Sequence, residues 1–392
     1  MKYRWLLVAL LWVVWLLNYL DRQVIFSVLP LLQNELKLSS TGLGLLSGVF
    51  LWVYAAASPF AGYAADRFGR KRAVVLSLLI WSVVTWATAH ATNLTFLLTA
   101  RAVMGLSEAF YLPAGLALIA AWHGDRTRAK ATGLHYTGGY LGMVLGGVLG
   151  SILAVKFGWR VTFSVLGLIG TAYAILLAFT LRDREGQSPP KFRFDRASIE
   201  IFRLPGYGTM FIVFGLVSVG NWMVYTWLPL YIYERFQMGL EGAGFTATFY
   251  LQAGAVAGIV IGGWLGDWWS GRHIKGRLWT QAVGLAAAAP FLCSAGITDS
   301  VVVLSIGMVV FGIGRGVYDS NTMPALCGIA PENLRATGYG WFNLIGPLAG
   351  GAVAAGAGAL KDTIGLGGAL AASGALLGLS AILLTFIKPY EH

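Results

Sequence analysis

Twelve stretches of mostly apolar residues follow one another along this 392-residue chain, divided by short polar breaks. A helix crossing the hydrocarbon core of a bilayer needs roughly 20 such residues. The pattern therefore predicts twelve membrane-spanning helices: 5–31, 43–64, 73–91, 95–121, 131–153, 160–181, 207–232, 244–266, 278–297, 300–325, 337–358 and 367–387. The first is longer than a secretory signal, runs on through charged residues and is followed by no small-residue cleavage site, so it is expected to be retained. The clearest polar interruption, Arg182 to Pro205, contains Arg182-Asp-Arg-Glu-Gly-Gln-Ser-Pro-Pro and reads as a cytoplasmic linker. It divides a first half, 1–181, from a second, 206–392. Residues around Phe194–Phe202 fit a short amphipathic helix lying on the membrane surface.

Two glycine-led cassettes recur between spans. Gly62-Tyr-Ala-Ala-Asp66-Arg67-Phe-Gly69-Arg70-Lys71-Arg72 joins spans two and three, and Gly263-Trp-Leu-Gly-Asp267-Trp-Trp-Ser-Gly271-Arg272 joins spans eight and nine. The leading glycine lets helix backbones touch, the aspartate caps or pairs at a helix end, and the cations stay in the cytoplasm. Gly62, Asp66, Arg67, Arg70 and Asp267 are read as a conformational latch rather than as ligands. Further matches accompany the cassettes. Ala131-Thr132-Gly133 corresponds to Ala336-Thr337-Gly338, Leu29-Pro30 to Leu228-Pro229, and Gly105 to Gly312. The expected fold is an all-α membrane protein, twelve transmembrane helices in two pseudo-symmetric six-helix halves. Parallel repeats of this kind place a substrate site at the midplane, where the halves meet, and rock about it.

Composition agrees. The chain is 57% apolar and 11% charged, against about 25% charged in soluble domains. Its 52 glycines and 15 tryptophans suit helix packing and interfacial anchoring. With both termini in the cytoplasm, inner loops and tails hold 20 Lys/Arg and 9 Asp/Glu, outer loops hold five of each, and the spans three of each. The net charge of +11 then lies on one face, as the positive-inside rule requires. No soluble basic module for nucleic acid is visible. Cys293 and Cys327 both fall in spans, where they read as small apolar packing rather than a disulfide or metal site.

Six ionisable residues interrupt the spans: Asp21, Arg22, Arg101, Glu108, Arg315 and Asp319. Each costs at least about 2.5–3.5 kcal/mol at the bilayer centre unless paired or wet. Arg101 and Glu108, seven apart, share a helix face, and Arg315 and Asp319 are spaced for an i,i+4 pair. Glu108 corresponds to Arg315 between halves. Three carboxylates against three guanidiniums leave no spare cation, so an anionic ligand requires a carboxylate to take a proton first. Polar and aromatic residues near the midplane complete a candidate cavity: Tyr19, Tyr111, Tyr136, Asn221, Trp222, Tyr225, Asn321, Trp341 and Asn343. Burial of Asn321 and Asn343 is costly without a partner, and hydroxyls of a sugar-like ligand suit them. His135, about one turn into its span, is expected at the interface. Arg22 is suited to a carboxylate, with Arg315 or Asp319 and Asn321 at the ligand's other end.

Twelve spans in a 6+6 repeat with the Gly62–Arg72 cassette resemble the major facilitator superfamily. Asn18-Tyr19-Leu20-Asp21-Arg22 in span one, with Arg101 and Glu108 in span four, resembles its anion:cation symporter family and the related Spinster-type transporters. The resemblance implies protonation at Asp21 and Glu108, an anionic substrate at Arg22, and Arg101 as a charge partner. Span five, Gly133–Gly150, is glycine-rich but lacks the proline common in antiporters, which favours symport.

The expected function is proton-coupled symport of a small organic anion such as a sugar acid, with a Spinster-like carrier of lysophospholipid or other amphipathic lipid as the alternative. A membrane enzyme or receptor would need metal-spaced clusters, a Ser/His constellation or a signalling domain. None is seen, and no cofactor or nucleotide motif either. The expected setting is a monomer in a bacterial cytoplasmic membrane.

Overall fold

The computed structural model describes residues 2–183 and 194–387, with side chains throughout except at residues 2, 62–66, 68, 125, 126, 129, 194–196, 333 and 336. Residues 184–193 of the expected linker lie outside the described residues. All regular structure among the described residues is helical: α1 (Lys2–Ser27), α2 (Leu29–Leu36), α3 (Ser40–Phe68), α4 (Arg70–Thr88), α5 (Leu94–Ala109), α6 (Tyr111–Trp122), α7 (Asp125–Phe157), α8 (Trp159–Thr180), α9 (Phe194–Arg203), α10 (Tyr207–Arg235), α11 (Leu240–Ser270), α12 (Gly276–Ala295), α13 (Val301–Cys327), α14 (Glu332–Ala359) and α15 (Lys361–Thr385). Twelve segments among the described residues are long and apolar enough to cross a membrane, each overlapping one predicted span. The largest difference is at the last, which starts at Lys361 rather than 367 because the helix continues through a kink at Gly365 (φ +68°).

The matched prolines behave differently. Pro30 stands in the first turn of α2, after a break at Val28, where its missing N–H is no loss. Pro229 sits inside the unbroken α10. Span four is likewise broken at Phe110, between α5 and α6, whereas α13 is continuous.

Two compact units form. One gathers residues 1–191 and 239–245, the other 192–238 and 246–392, so α9 belongs with the second. In the first unit α7 lies against α1 along a seam of glycines. A Cβ on Gly138, Gly142 or Gly146 would come within 2.6, 2.3 and 2.6 Å of the main-chain oxygens of Trp12, Leu16 and Leu20. Small residues at such a seam let backbones approach where no hydrophobic force drives them together. The Gly105–Gly312 correspondence marks the same contact in each unit. Gly105 of α5 meets the carbonyl of Phe50 on α3, and Gly312 of α13 meets that of Leu251 on α11, with room for no Cβ in either place.

Candidate functional site

The first unit buries its four ionisable residues around Arg22. Arg22 Nε donates to Glu108 Oε2 at 2.5 Å, joining α1 to the last turn of α5. Aromatic rings enclose the guanidinium: Phe50 and Tyr54 at 4.9 Å, Tyr19 at 5.1 Å. Such rings stabilise a cation that has left water. Asn18, fully buried one turn before Arg22, lies beside the Glu108 carboxylate. Arg22 Nη2 and Glu108 Oε1 have no hydrogen-bond partner. The pair thus leaves one guanidinium nitrogen and one carboxylate oxygen without a hydrogen bond.

Asp21 points the other way, to α4, and accepts a hydrogen bond from Thr85 at 3.4 Å. Its Oδ1 has no partner, and no described cation lies within 4.0 Å of the carboxyl. Arg101 forms no salt bridge with a described carboxylate, and acts on Glu108 and Asp21 as a charge at longer range. Its Nε donates to the Leu46 carbonyl at 3.0 Å, its Nη1 to Met104 Sδ at 3.2 Å, and its guanidinium lies 4.4 Å from the Phe50 ring. Sharing a helix face sets direction but not reach. Seven residues separate the two by roughly 10 Å of rise, and Arg22 enters the gap from α1.

His135 is wholly buried inside the first unit. Its Nε2 is 2.9 Å from the Tyr111 hydroxyl, which also donates to the Leu11 carbonyl at 2.7 Å, and Trp15 stacks on the imidazole. Tyr136, next along the helix, is 38% exposed and meets Trp15 edge-on.

In the second unit the i,i+4 pair is formed: Arg315 Nε is 3.2 Å from Asp319 Oδ2. The guanidinium stands 5.0 Å from the Tyr225 ring on α10. Asn221 is one turn before Tyr225 on the same helix face. Four polar atoms here are buried without a hydrogen bond: Arg315 Nε and Nη1, the Tyr225 hydroxyl and Asn221 Oδ1.

One expected ligand, Asn321, is engaged elsewhere. Asn321 donates to the carbonyls of Gly262 (2.8 Å) and Val317 (3.0 Å) and accepts from Arg277 Nη1 at 3.1 Å. Arg277 also forms an ion pair with Asp267. Asn321 therefore ties α13 to the Asp267 cassette; a Cβ on Gly266 would fall 2.0 Å from its Oδ1. Close approach of α11 supplies the partners that removed the need for a ligand. Replacing Asn321 by Leu should cost about 1–3 kcal/mol, seen as a lower melting temperature in detergent, with ligand affinity of the folded protein unchanged. Asn343 is exposed on α14 within a candidate membrane span. Trp341 packs edge-on against Phe202 of α9 and Phe211 of α10.

At the first cassette, Gly69 adopts φ +96° between α3 and α4. The amide of Lys71 donates to Asp183 Oδ2 at 3.2 Å, a carboxylate at the positive end of α4 that sequence reading missed. Arg70 Nη1 reaches the Ala117 carbonyl at 3.5 Å, and Arg67 is exposed. Gly62 and Asp66 lie outside the residues whose side chains are described. Thr85, Tyr54 and Phe50 were also missed. A buried arginine signals that an aromatic cage exists, but only packing says which rings form it.

The family model for the Major Facilitator Superfamily matches residues 11–355. The chain belongs to the major facilitator superfamily. It is an integral membrane transporter, not an enzyme. Among curated relatives, this transporter is 27% identical to a protein of Cupriavidus necator named a probable sulfoacetate transporter, covering 99% of this chain and 94% of the relative. It is 25% identical to the probable galactarate/D-glucarate transporter of Escherichia coli (88% and 85%) and 24% identical to the hexuronate transporter of Bacillus subtilis (95% and 92%). Its fold matches that of a bacterial homologue of the human lysosomal transporter Spinster, solved in an inward-facing and occupied conformation, with TM-score 0.86 at 21% identity, covering 98% and 97% of the two chains.

Proposed function

We propose that this transporter carries a small organic anion, a sugar acid or similar carboxylate, by proton-coupled symport and alternating access between its two halves. The observation that carries the reading is the half-open Arg22–Glu108 pair: a buried guanidinium with one edge on a carboxylate and Nη2 without a partner. An arginine fork takes a carboxylate through two parallel N–H bonds, and with Glu108 protonated both Nε and Nη2 are available to one acidic group. Three acid-transporting relatives, named above, support the same substrate class.

The proton enters by charge balance. Asp21 has a hydroxyl but no cation against it, so a proton on it removes an uncompensated buried charge. A proton on Glu108 releases Arg22 toward the incoming anion. Asp21 and Glu108 are thus the coupling acids, and Arg101 is a neighbouring cation held on α3. Tyr19 closes over Arg22 in the same cluster. The Asp66 and Asp267 cassettes, with Arg67 and Arg70, act as latches at the cytoplasmic side. Both termini face the cytoplasm of a bacterial inner membrane, and the working unit is a monomer.

Uptake of labelled hexuronate, L-galactonate, galactarate and sulfoacetate into proteoliposomes tests the reading. An inwardly directed proton gradient should drive at least one above equilibrium. Accumulation driven by sodium alone, or uptake of a lysophospholipid with none of the acids carried, would overturn it.

A further inference from the structure

Two cations in the turn between α11 and α12, Arg272 and Lys275, form no salt bridge with a described carboxylate. We propose that an exposed ridge of α11 and this turn bind an anionic phospholipid, its acyl chains along Val256, Val260, Trp264 and Trp268 and its headgroup on Arg272 and Lys275.

Sequence spacing builds the ridge. Val256, Val260, Trp264 and Trp268 recur every four residues, which is one slanting row on a helix. All four are exposed, Trp264 to 68%. The row covers about 18 Å of helical rise, close to the roughly 15 Å of one leaflet's hydrocarbon. Both α11 and α12 are long and apolar enough to cross a membrane, so the turn at 271–275 stands at the edge of that hydrocarbon. Tryptophans gather at this depth because one end of the indole is apolar and the other bonds to water or headgroups. Ile274, 70% exposed within the turn, sets an apolar tip between the two cations.

Arg272 is the next step of the ridge, four residues after Trp268. Its Nη1 donates to the Trp268 carbonyl at 2.9 Å, and its guanidinium lies 4.2 Å from the Trp268 ring. The charge is thereby held at the end of the apolar row, and the other guanidinium nitrogens make no hydrogen bond to a described residue. Asp267, the acidic residue nearest in sequence, is already paired with Arg277. A phosphodiester of net negative charge supplies the missing anion, and guanidinium suits phosphate oxygens. A zwitterionic headgroup brings its own cation and gains less from Lys275 and Arg272. In the first cassette, the arginine after the second glycine is turned inward instead, Arg70 Nη1 reaching the Ala117 carbonyl at 3.5 Å.

Native mass spectrometry of the purified full-length protein, titrated with phosphatidylglycerol or with phosphatidylcholine of the same acyl chains, reads the preference directly. The first phosphatidylglycerol should bind wild type at least about tenfold more tightly than the first phosphatidylcholine, a difference of about 1.4 kcal/mol. Arg272→Gln combined with Lys275→Gln should cut that preference at least about fivefold, with the melting temperature in lipid-free detergent near wild type. Lys37→Gln combined with Lys156→Gln removes the same charge from two exposed lysines elsewhere and should keep the preference within about twofold. Trp264→Ser should weaken both lipids alike, by at least about threefold. Equal binding of the two lipids by wild type, an undiminished preference without Arg272 and Lys275, or an equal loss without Lys37 and Lys156 overturns the proposal. Unchanged lipid binding in Trp264→Ser overturns the part assigned to the ridge.

Discussion

Asp21→Asn should abolish accumulation of substrate against its gradient while leaving exchange of internal for external substrate in place. A pH difference of one unit supplies about 1.4 kcal/mol per proton, enough for about tenfold accumulation. In the variant the steady-state ratio should fall to about one under the same gradient. Asp21 is the cleaner of the two acids to alter, because its one observed partner is the Thr85 hydroxyl, which an amide oxygen also accepts. Glu108→Gln should give the same transport phenotype with a cost in stability. It leaves Arg22 buried without its anion, and breaking such a pair costs about 3–5 kcal/mol. Counterflow and gradient-driven uptake, measured side by side in proteoliposomes, separate coupling from loss of fold. If both variants still accumulate substrate, proton coupling at this site fails.

Arg22→Lys should weaken substrate binding by about ten- to a hundredfold although the charge is kept. The hydrogen bonds at stake involve charged groups, worth about 1.5–3 kcal/mol each, and an ammonium cannot present two parallel donors. It also cannot lie flat among Tyr19, Phe50 and Tyr54 as the guanidinium does. Arg101→Lys should change affinity less than about fivefold and show itself in melting temperature instead, since Arg101 serves the Leu46 carbonyl and the Phe50 ring. Calorimetric titration of both variants with L-galactonate decides. Near-normal affinity in Arg22→Lys would place the anion elsewhere.

The spans were legible because hydrophobic length is a property of the sequence alone, and charge asymmetry needs only counting. The Arg315–Asp319 pair was legible for a related reason: one helical turn fixes both direction and distance. Arg101 with Glu108 differs, because two turns share a face without bringing side chains into contact, and the salt bridge to Glu108 comes from another helix. Asn321 misled for the opposite reason. An asparagine in a span demands partners, and sequence shows the demand but not the glycine-lined approach of α11 that meets it. Thr85 and Asp183 carry no sequence signal at all; each matters only for what it touches.

The polar connection between the units is fastened at its two ends to different partners. Asp183 holds the amide at the start of α4, while α9 is held through Phe202 against Tyr207 and Trp341. The stretch between them, residues 184–193, is accordingly the place to open the polypeptide. A fluorescent reporter inserted there, or two genes encoding 1–187 and 188–392 expressed together, would leave each fragment with its own anchor. A cut placed after Arg203 would strip the second fragment of α9 and uncover the aromatic face of Phe211 and Trp341. Protein engineering of this carrier thus has a window bounded by one carboxylate and one phenylalanine.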